Sequence, residues 1–405
     1  MTTDWSRALM HIDGDAFFAS VYQAIHPSTK GKPLVIGRER GIATAISYEA
    51  KAYGVKRGML MHEIKKLCPQ CIIASSDYRL YEMFSQKMMD IIRSYTPYVE
   101  RYSIDEAFAD ITDLKNTMCM DYSSIGKHIK KTIEISLGIS VSVGIAPTKS
   151  LAKIGSSYQK PSGCITINDI NKDIFLKNTK IENVWGIGWR TAPKMKTLGL
   201  ESAYDFVHEQ EKIITKLFNK PIVEIWHELQ GNQIYQLNTA KKITYQSISK
   251  THTVTPATMD KNILFVRLME YIEDAFTKAR RYDYQVGRMS IFLKTQQFRY
   301  YATEIRLPEK TQYPFLIRKD VRKGFDKIYH QHTLYRASGC TLYDLEKTTE
   351  SQPMLFHATA DIEEKLKHLY PLFEENKIKF GISLFDKRRD MRRKKFLFPT
   401  IKLDS

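Results

Sequence analysis

The sequence predicts a multidomain α+β protein that begins with an antiparallel or mixed sheet covered by helices. The chain has 405 residues, which is long for one hydrophobic core and suits about two to four domains. Its first 165 residues alternate short β-rich runs with helical segments, whereas residues 166–235 show helical patterns only. Residues 251–345 alternate again, so α+β regions flank a helical region.

The elements of the first region follow from apolar patterning and from the residues that stop each run. Residues 8–14 form an apolar strand that ends in acidic residues, and the helix that follows stops before Pro27. A helical and loop-rich stretch starts at Tyr48 and is interrupted by two glycines. The further predicted elements are short strands within 33–48 and at 72–74, a helix over 78–95, a hairpin over 98–112, a helix over 123–137, a strand over 140–146 and a helix over 149–158.

The C-terminal half predicts a second α+β region between a linker and a tail. Residues 236–250 are polar and predict the linker. Three β-rich runs (THTVT, MSIFLKT and YYATEIRL) predict strands, and helices are predicted over 261–281 and 313–330. Residues 346–405 predict the tail, whose basic run near 387–395 either contacts phosphates or is a solvated charged segment.

Charge and cysteine content narrow the class of partner and the compartment. The net charge of +17 favours a polyanion, and nucleic acid is the usual one. Five cysteines in so long a chain argue against a disulfide framework and for a reducing compartment. Cys68 and Cys71 form a CxxC with no second pair to complete a zinc site, which leaves a turn at Pro69 or a redox role. Without a signal peptide or a run of about 20 apolar residues, we expect a cytoplasmic protein and no membrane partner.

Two acidic pairs stand where strands end. Asp13 and Asp15 follow the first strand, and Asp105 and Glu106 lie at the tip of the later hairpin. Carboxylates gathered at strand ends repel one another unless cations lie between them, and Mg²⁺ prefers such oxygen ligands. Two ions about 3.5–4 Å apart can activate a 3′-hydroxyl and stabilise leaving pyrophosphate. The alternative is that each pair is only a solvated turn.

Five segments, in order, carry a family resemblance. They are HIDGDAFFASV, SYEAKAYGVKRGM, YTPYVERYSIDEAFADIT, SVGIAPTKSLAKIGSSYQKPSG and VWGIGWRTAPKMKTLGL. Together they resemble the successive motifs of Y-family DNA polymerases, the group that includes the DinB and UmuC types. The match is clear over residues 9–200 and weaker to residue 356. Five motifs in the same order make a chance match improbable, although the branch, DinB-like or UmuC-like, stays open.

The resemblance implies a domain plan and a reaction. The implied domains are a palm (1–19 and 77–165), small fingers (20–76), an all-helical thumb (166–235) with a helix-hairpin-helix near 184–200, a linker (236–250), an α+β little finger (251–345) and a tail (346–405). The implied reaction is template-directed, low-fidelity addition of dNTPs to a primer 3′-hydroxyl in translesion synthesis, as part of DNA repair and the SOS response to DNA damage. The implied protein is a nucleoid-associated monomer that binds primer-template DNA.

Carried over by position, the family's metal ligands fall on the two acidic pairs. Asp13 and Asp105 are implied to bind both ions, and Glu106 to complete the site. Gly14 is implied to lend its backbone carbonyl to the ion on the nucleotide side, whereas Asp15 is not a first-choice ligand. The implied cofactor is two Mg²⁺ ions, with Mn²⁺ as a substitute.

The nucleotide-binding positions follow in the same way. Phe18 falls at the steric-gate position, where a flat ring excludes a 2′-hydroxyl, and the alternative is a core aromatic residue. Phe17 is implied to pack near the triphosphate and to offer its backbone N–H. Tyr48, Lys51 and Lys160 are implied to contact the triphosphate. Lys51 departs from the arginine usual in the family, so a weaker grip on the nucleotide is expected.

The DNA-holding features lie in the later regions. Gly186 and Gly188 form a GxG that resembles a helix-hairpin-helix, in which backbone N–H groups approach a DNA phosphate. Residues 241–345 carry 19 Lys and Arg against 10 Asp and Glu. Strands bearing Lys294, Arg299 and Arg306 would therefore suit a surface that lies on duplex DNA.

The tail contains a short peptide that resembles the segment by which bacterial polymerases hold the sliding clamp. Its residues are Gln352, Pro353, Met354, Leu355 and Phe356, with proline where leucine is common. The four others are the expected clamp contacts, and residues 382–385 are a weaker candidate for the same role.

Three alternatives stay open from the sequence alone. An inactive relative could tether partners to DNA and the clamp, although such relatives lose the metal carboxylates. An unrelated two-metal enzyme, such as a nucleotide cyclase, could use the same acidic pairs without primer or template. Separately, Lys149 and Lys153 either reach phosphates or form a solvated helix face.

Overall fold

The computed structural model describes residues 7–240, 244–349, 362 and 365–370. The chain divides into two compact units, Met1–Ala240 and Lys241–Ser405. Each unit combines sheets with helices around its own buried core, which is the mixed α+β architecture that the sequence predicts. None of the helices in the described ranges is long and apolar enough to cross a membrane.

The elements alternate along most of the chain. The strands are β1 (Leu9–Gly14), β2 (Leu34–Ile36), β3 (Ala45–Ile46), β4 (Ile72–Ala74), β5 (Val99–Arg101), β6 (Glu106–Asp110), β7 (Val141–Ala146), β8 (Cys164–Thr166), β9 (Ile248–Thr258), β10 (Tyr284–Thr295), β11 (Tyr300–Thr311) and β12 (Tyr335–Lys347). The helices are α1 (Phe17–Ile25), α2 (Tyr48–Ala52), α3 (Met61–Leu67), α4 (Tyr78–Arg93), α5 (Leu114–Thr117), α6 (Tyr122–Leu137), α7 (Lys149–Tyr158), α8 (Lys172–Lys177), α9 (Thr191–Lys196), α10 (Ala203–His208), α11 (Glu211–Leu217), α12 (Lys220–Gln230), α13 (Lys261–Arg281) and α14 (Arg318–Ile328).

A five-stranded sheet in the order β5-β6-β1-β7-β8 forms the middle of the first unit. The central strand β1 pairs antiparallel with β6 and β7, and β8 pairs parallel with β7. Met10 and Ile12 of β1 pack with residues of α4 and α6 in one buried cluster. Because side chains alternate along a strand, His11 and Asp13 point to the opposite face of the sheet.

Helix α7 covers this opposite face. Thr148 caps its N-terminus by accepting a hydrogen bond from the Leu151 backbone N–H. Gly144 of β7 allows the helix to lie close, because a Cβ at this position would come within 1.9 Å of the Ala152 carbonyl oxygen. The helix thereby brings its polar residues, among them Lys153 and Ser156, next to the strand that carries Asp13.

The small sheet β3-β2-β4 has its own core with α2 and α3. Cys68 is buried there, and the Cys71 N–H donates to the Cys68 carbonyl at 3.0 Å. The CxxC therefore forms the turn before β4, which is the first of its two predicted interpretations. The helices α8–α12 follow the five-stranded sheet and share a buried cluster with α7, in which Phe206 and Trp226 are the largest side chains.

The second unit contains a four-stranded antiparallel sheet in the order β11-β10-β12-β9. Met289 and Leu293 of β10 are buried with residues of α13 and α14, so both helices lie on one face. Arg288 and Lys294, which alternate with them, point to the other face. Of the elements described in this unit, none covers that second face.

Two strands, β8 and β12, were not predicted, because the sequence pattern of their segments showed no regular element. The short strand β8 is held by parallel pairing with β7, and β12 is held between β10 and β9. The strand β9 begins at Ile248, inside the predicted linker, and β12 ends at Lys347, inside the predicted tail. Pairing with neighbours, rather than local pattern, decides these limits.

Part of the tail returns to the second unit. Residues 365–370 are helical, and Leu366 and Tyr370 are buried against Tyr313. The Tyr370 hydroxyl donates to Glu273 at 3.3 Å, and the Arg280 guanidinium lies 4.0 Å from the Tyr370 ring centroid. No helix was predicted for this segment.

Candidate active site

The predicted carboxylates meet at one end of the central strands. Asp13 at the end of β1 is the register partner of Glu106 at the start of β6. The Gly14 N–H donates to the Asp105 carbonyl oxygen at 2.8 Å, which fixes the hairpin turn beside the end of β1. A Cβ at Gly14 would come within 2.8 Å of the Phe17 ring, so a larger residue there would force that ring to shift. The fold therefore gathers Asp13, Asp105 and Glu106 from distant parts of the sequence.

Each of these carboxylates has a specific partner. Lys160 forms an ion pair with Asp13, and the Lys153 Nζ lies 2.6 Å from the Glu106 Oε2. Ser103 Oγ donates to the Asp105 Oδ1 at 2.5 Å. All three carboxylates are half-buried, and such a partner offsets the cost of desolvating their charge.

Burial and charge set different proton affinities for the two paired carboxyls. Burial raises the pKa of Asp13 to about 6, assisted by the charges of Glu106 and Asp105 and opposed by Lys160. Burial also acts to raise the pKa of Glu106, but His11 and Lys153 outweigh it and lower that pKa to about 2. Glu106 is therefore held ionised, whereas Asp13 takes up a proton more easily than Glu106 does.

His11 is a polar residue of the site that the sequence patterns missed. It is fully buried, its Nδ1 lies 2.7 Å from the Ser156 Oγ, and its Nε2 lies 3.7 Å from the Glu106 Oε2. Burial lowers the pKa of His11 to about 4, so the ring is neutral around pH 7. The available signal was the alternation Leu9, His11, Asp13, which places a histidine on the face of the carboxylates.

Asp15 and Lys149 have structural partners. The Asp15 carboxylate is buried and accepts hydrogen bonds from the Ser142 hydroxyl at 2.9 Å and the Ser162 N–H at 2.7 Å. The Lys149 Nζ is buried and lies 2.5 Å from Glu100. Lys149 is therefore not part of a solvated helix face.

The two predicted aromatic residues lie on successive positions of α1. Phe17 is buried in the core of the unit. Phe18 is half-buried and stacks on Tyr81, with 4.0 Å between ring centroids and 7° between ring planes. Within the described residues, neither backbone N–H of this pair has a hydrogen-bond partner, as expected for the first turn of a helix.

Tyr48 and Lys51 lie on α2, near the acidic end of β1. The Lys51 Nζ lies 3.9 Å from the Tyr48 ring centroid. Burial raises the pKa of Tyr48, and the charges of Asp15 and Asp13 raise it further. Burial lowers the pKa of Lys51, and repulsion from Lys160 adds to the effect. The fold thus brings a hydroxyl and two cations to the same end of the sheet as the carboxylates.

The donor set suits a hard divalent cation, although the side chains do not converge on one point. Carboxylate and backbone carbonyl oxygens are the ligands that Mg²⁺ prefers. In the described parts of the chain, no three Asp, Glu, His or Cys side chains are placed closely enough to form a metal cluster. Lys160, Lys153 and Ser103 each contact one of the three carboxylates instead.

The turn that contains Gly186 and Gly188 contacts the β5–β6 hairpin through Trp185. Gly186 has φ +87°, and a Cβ there would come within 2.5 Å of the Ile225 side chain, whereas Gly188 faces open space. The Trp185 Nε1–H donates to the Tyr102 hydroxyl at 3.0 Å. Tyr102 precedes Asp105 by three residues in the chain. Gly186 therefore serves the packing of this unit, and Gly188 has room for a close approach by another molecule.

The cations predicted for the second unit are placed on or beside the uncovered face of its sheet. Arg306 of β11 is the register partner of Arg288, and Lys294 is the partner of Tyr300. Arg299 lies in the turn that joins the two strands. The clamp-like residues Gln352, Met354, Leu355 and Phe356 lie outside the described residues.

Comparison with known families agrees with this architecture. The model of the impB/mucB/samB family matches residues 12–157, and the model of that family's C-terminal domain matches residues 245–355. Together they span both units and more than half of the chain.

Curated relatives match over most of their length. DNA polymerase IV of Listeria monocytogenes is 31% identical over 340 residues, covering 80% of this chain and 93% of the relative. DNA polymerase IV of Lactococcus lactis is 30% identical over 358 residues, covering 86% and 98%. DNA polymerase IV of Bacteroides fragilis is 31% identical over 294 residues, covering 72% and 80%.

Solved structures show the same fold. A Y-family DNA polymerase chimera of Dbh and Dpo4 superposes with a TM-score of 0.69 at 23% identity, covering 84% of this chain and all of the other. The insertion ternary complex of Dbh DNA polymerase gives a TM-score of 0.54 at 24% identity, with the same coverage. The curated relatives define the class of protein, a DNA-directed DNA polymerase and hence a nucleotidyltransferase. The chain belongs to the impB/mucB/samB family and is a Y-family, DinB-type DNA-directed DNA polymerase.

Proposed function

We propose that this protein extends a primer on a DNA template with low fidelity, in translesion synthesis, by two-metal phosphoryl transfer at Asp13, Asp105 and Glu106. One observation carries the proposal: Asp13 and Glu106 are register partners at the end of the central strands, with Asp105 in the adjoining turn. The presence of all three carboxylates disfavours an inactive tethering relative.

Two Mg²⁺ ions, or Mn²⁺ in their place, would be held by these three carboxylates and the Gly14 carbonyl. When bound, such ions lower the pKa of a 3′-hydroxyl and neutralise charge on the leaving pyrophosphate. The protein's own contribution is to keep Glu106 ionised through Lys153 and to hold Asp105 through Ser103. Asp13 and Asp105 are assigned to both ions, and Glu106 completes the set.

Phe18 is assigned to select deoxyribonucleotides. Its ring is fixed by the stacked Tyr81, so it cannot easily move aside for a 2′-hydroxyl. The Phe17 and Phe18 N–H groups stand at the N-terminus of α1, where the helix favours an anion such as a triphosphate. Packing of the Phe17 side chain in the core keeps these donors in place.

Tyr48, Lys51 and Lys160 are assigned to the triphosphate. Their hydroxyl and ammonium groups can stabilise charge that develops on the leaving pyrophosphate. Lys51 is a point charge and lacks the planar fork of arginine, so it grips the phosphates less specifically. Its contact with the Tyr48 ring restricts where that charge can lie.

The DNA contacts are assigned to both units. Gly188, with open space at its Cα, allows a backbone phosphate to approach the hairpin, while Gly186 shapes the turn. Lys294, Arg299 and Arg306 would bind phosphates of the duplex without reading sequence. We further propose that residues 352–356 hold a sliding clamp and that the protein acts as a monomer in the cytoplasm, close to the nucleoid.

Extension of a labelled primer on an undamaged template, with Mg²⁺ and dNTPs, tests the function. We expect extension by the native protein, none by Asp105→Ala, and incorporation of ribonucleotides by Phe18→Ala. Absence of extension by the native protein, even with clamp added, would refute the polymerase assignment. Product formed without primer and template would indicate a different two-metal enzyme.

A second template separates translesion synthesis from ordinary copying. A single abasic position ahead of the primer removes base pairing but keeps the backbone. We expect the native protein to insert a nucleotide opposite it. Phe18→Ala should do so as well, because the steric gate acts on the sugar of the incoming nucleotide and not on the template base. Complete arrest at the abasic position, with normal copying before it, would argue against a translesion role.

A further inference from the structure

We propose that the tip of the β10–β11 hairpin is a stacking site for unpaired bases of single-stranded DNA, formed by Phe298 and Tyr300 with Lys294 and Arg336. The site is separate from the carboxylates, and it shares only Lys294 with the duplex-phosphate contacts assigned above. It rests on the proposed function only for the source of the strand, which would be unpaired template.

The turn between β10 and β11 carries a phenylalanine, Phe298, in a backbone conformation that is unfavourable for a bulky side chain. Phe298 has φ +67°, in the left-handed region, and 59% of its surface is exposed. Glycine and asparagine suit that conformation, whereas a bulky residue is a rare occupant. The turn is well ordered by hydrogen bonds, since the Phe298 N–H donates to Thr295 and the Gln296 N–H to Leu334. An exposed phenylalanine in such a turn therefore points to a role outside folding.

A second exposed ring and two cations lie beside it. Tyr300 is 61% exposed. The Lys294 Nζ lies 4.6 Å from the Phe298 ring centroid and 4.7 Å from that of Tyr300. The Arg336 guanidinium lies 4.2 Å from the Phe298 ring centroid. The pairing of β12 with β10 and β9 is interrupted at Arg336, and such a bulge re-aims the side chain at that position.

The cations of this cluster form no ion pair with the described residues of the sheet. The ion pairs between its strands lie toward the other end, where Arg288 pairs with Glu304 and Lys310 with Asp344. Lys294 and Arg336 have no carboxylate within ion-pair distance among the described residues. The cluster therefore presents positive charge together with exposed ring surface.

These two properties favour single-stranded nucleic acid over duplex. Bases of a single strand stack on exposed aromatic rings, and cations beside the rings hold the phosphates. In a duplex the base faces are already stacked on one another, so only the cations would find a partner. A protein partner would have no reason to match the positive charge unless its own surface were acidic.

The test uses the full-length protein and three ligands of equal length: a thymidine oligomer, an abasic sugar-phosphate oligomer and a blunt duplex. Phe298→Asn removes the ring and keeps a residue that accepts the left-handed turn. We expect this variant to bind the thymidine oligomer at least about fivefold more weakly, the loss of one stacked base. Its affinity for the abasic oligomer and the duplex, measured by fluorescence anisotropy, should not change.

Cys119→Asn is the matched control, because Cys119 also has positive φ, at +52°, and is exposed in the other unit. It should bind all three ligands as the native protein does. Arg336→Gln should weaken binding of both single-stranded oligomers, because it removes charge. An unchanged thymidine affinity in Phe298→Asn, or an equal loss for all three ligands, would overturn the proposal.

Primer extension keeps this result apart from the proposed function. On a template with a one-nucleotide overhang, Phe298→Asn should extend as the native protein does. If the native protein fails to extend, the polymerase assignment fails, while the thymidine preference still decides the stacking site.

Discussion

The five-stranded sheet of the first unit and the four-stranded sheet of the second both pack against helices. Their polar faces differ in whether a helix covers them and in whether their charges are paired. In the first unit, α7 covers the face of Asp13, and its cation Lys153 pairs with Glu106 at 2.6 Å. In the second unit, Arg306 and Lys294 stand on a face that no described element of the unit covers. The charges of the covered face are paired. On the uncovered face Arg288 pairs with Glu304, whereas Arg306 and Lys294 have no ion-pair partner among the described residues.

The difference follows from solvation. Under a helix, a charge loses water and must gain a partner, so every ionised group is fixed in position. On an open face, water solvates the cations, and their fields act together on a distant polyanion. The covered face is therefore suited to chemistry at defined atoms, and the open face to holding DNA without regard to sequence.

The largest expected effect concerns the covered face. Asp13→Asn should lower the rate of primer extension by at least about a thousandfold, because a neutral amide oxygen binds a divalent ion more weakly than a carboxylate and cannot neutralise its charge. The control is Asp110→Asn at the far end of the same sheet, which pairs with Arg7. This control should lose stability and keep its rate. Single-turnover extension measures both, and similar rates in the two variants would contradict the assignment.

The next effect concerns acid stability, which should differ between the two units. The pKa of His11 is lowered from 6.5 to about 4 by burial, so its contribution is present above pH 6.5 and is lost as the pH falls toward 4. The loss amounts to about 3 kcal/mol for the first unit. Asp13, whose pKa is raised to about 6, acts in the opposite direction over much of this range.

Comparison with His11→Gln isolates the histidine, because Asp13 is present in both proteins. Hydrogen exchange of β1 amides, followed from pH 7 to 4 without divalent ions, should show a smaller loss of protection in the variant. The β10 amides of the second unit should lose the same protection in the native protein and in His11→Gln. Equal acid losses for β1 in the two proteins would show that His11 is not the group responsible.

A smaller effect distinguishes two lysines of the covered face. Lys160→Gln should raise KM for dNTPs by about ten- to a hundredfold, because one cation for the triphosphate is lost. Lys149→Gln leaves the half-buried Glu100 without its ion-pair partner and should lower thermal stability while KM stays native. Steady-state kinetics at a temperature where both variants are folded provides the comparison. A raised KM in Lys149→Gln alone would reverse the two roles.

The smallest effect belongs to the open face. Each phosphate contact contributes about 0.9 to the slope of log K against log salt, so replacing three cations by glutamine should reduce the slope by about three. The variant carries the substitutions at Lys294, Arg299 and Arg306. A control variant replaces three cations of the helical side that already have ion-pair partners, namely Lys261, Arg322 and Lys323. Titration of a duplex at several salt concentrations should leave the control slope unchanged.

Much of the fold could be predicted because local patterns were strong. The helix predicted over 78–95 is observed at Tyr78–Arg93, and the one that follows Phe17 ends before Pro27 as expected. The strands β8 and β12 were missed because pairing partners, and not their own sequences, make them strands. The polymerase family was likewise predicted from five ordered motifs and is confirmed by the family match.

The sequence by itself determined the acidic pairs, the aromatic pair Phe17–Phe18 and the basic balance of the second unit. Only the tertiary structure decided which atoms meet. It paired Asp13 with Glu106 across two strands and brought Lys153 and Lys160 to them. The physical reason is that burial and partner choice depend on residues between 47 and 147 positions apart, and no local pattern encodes which charge will meet which partner.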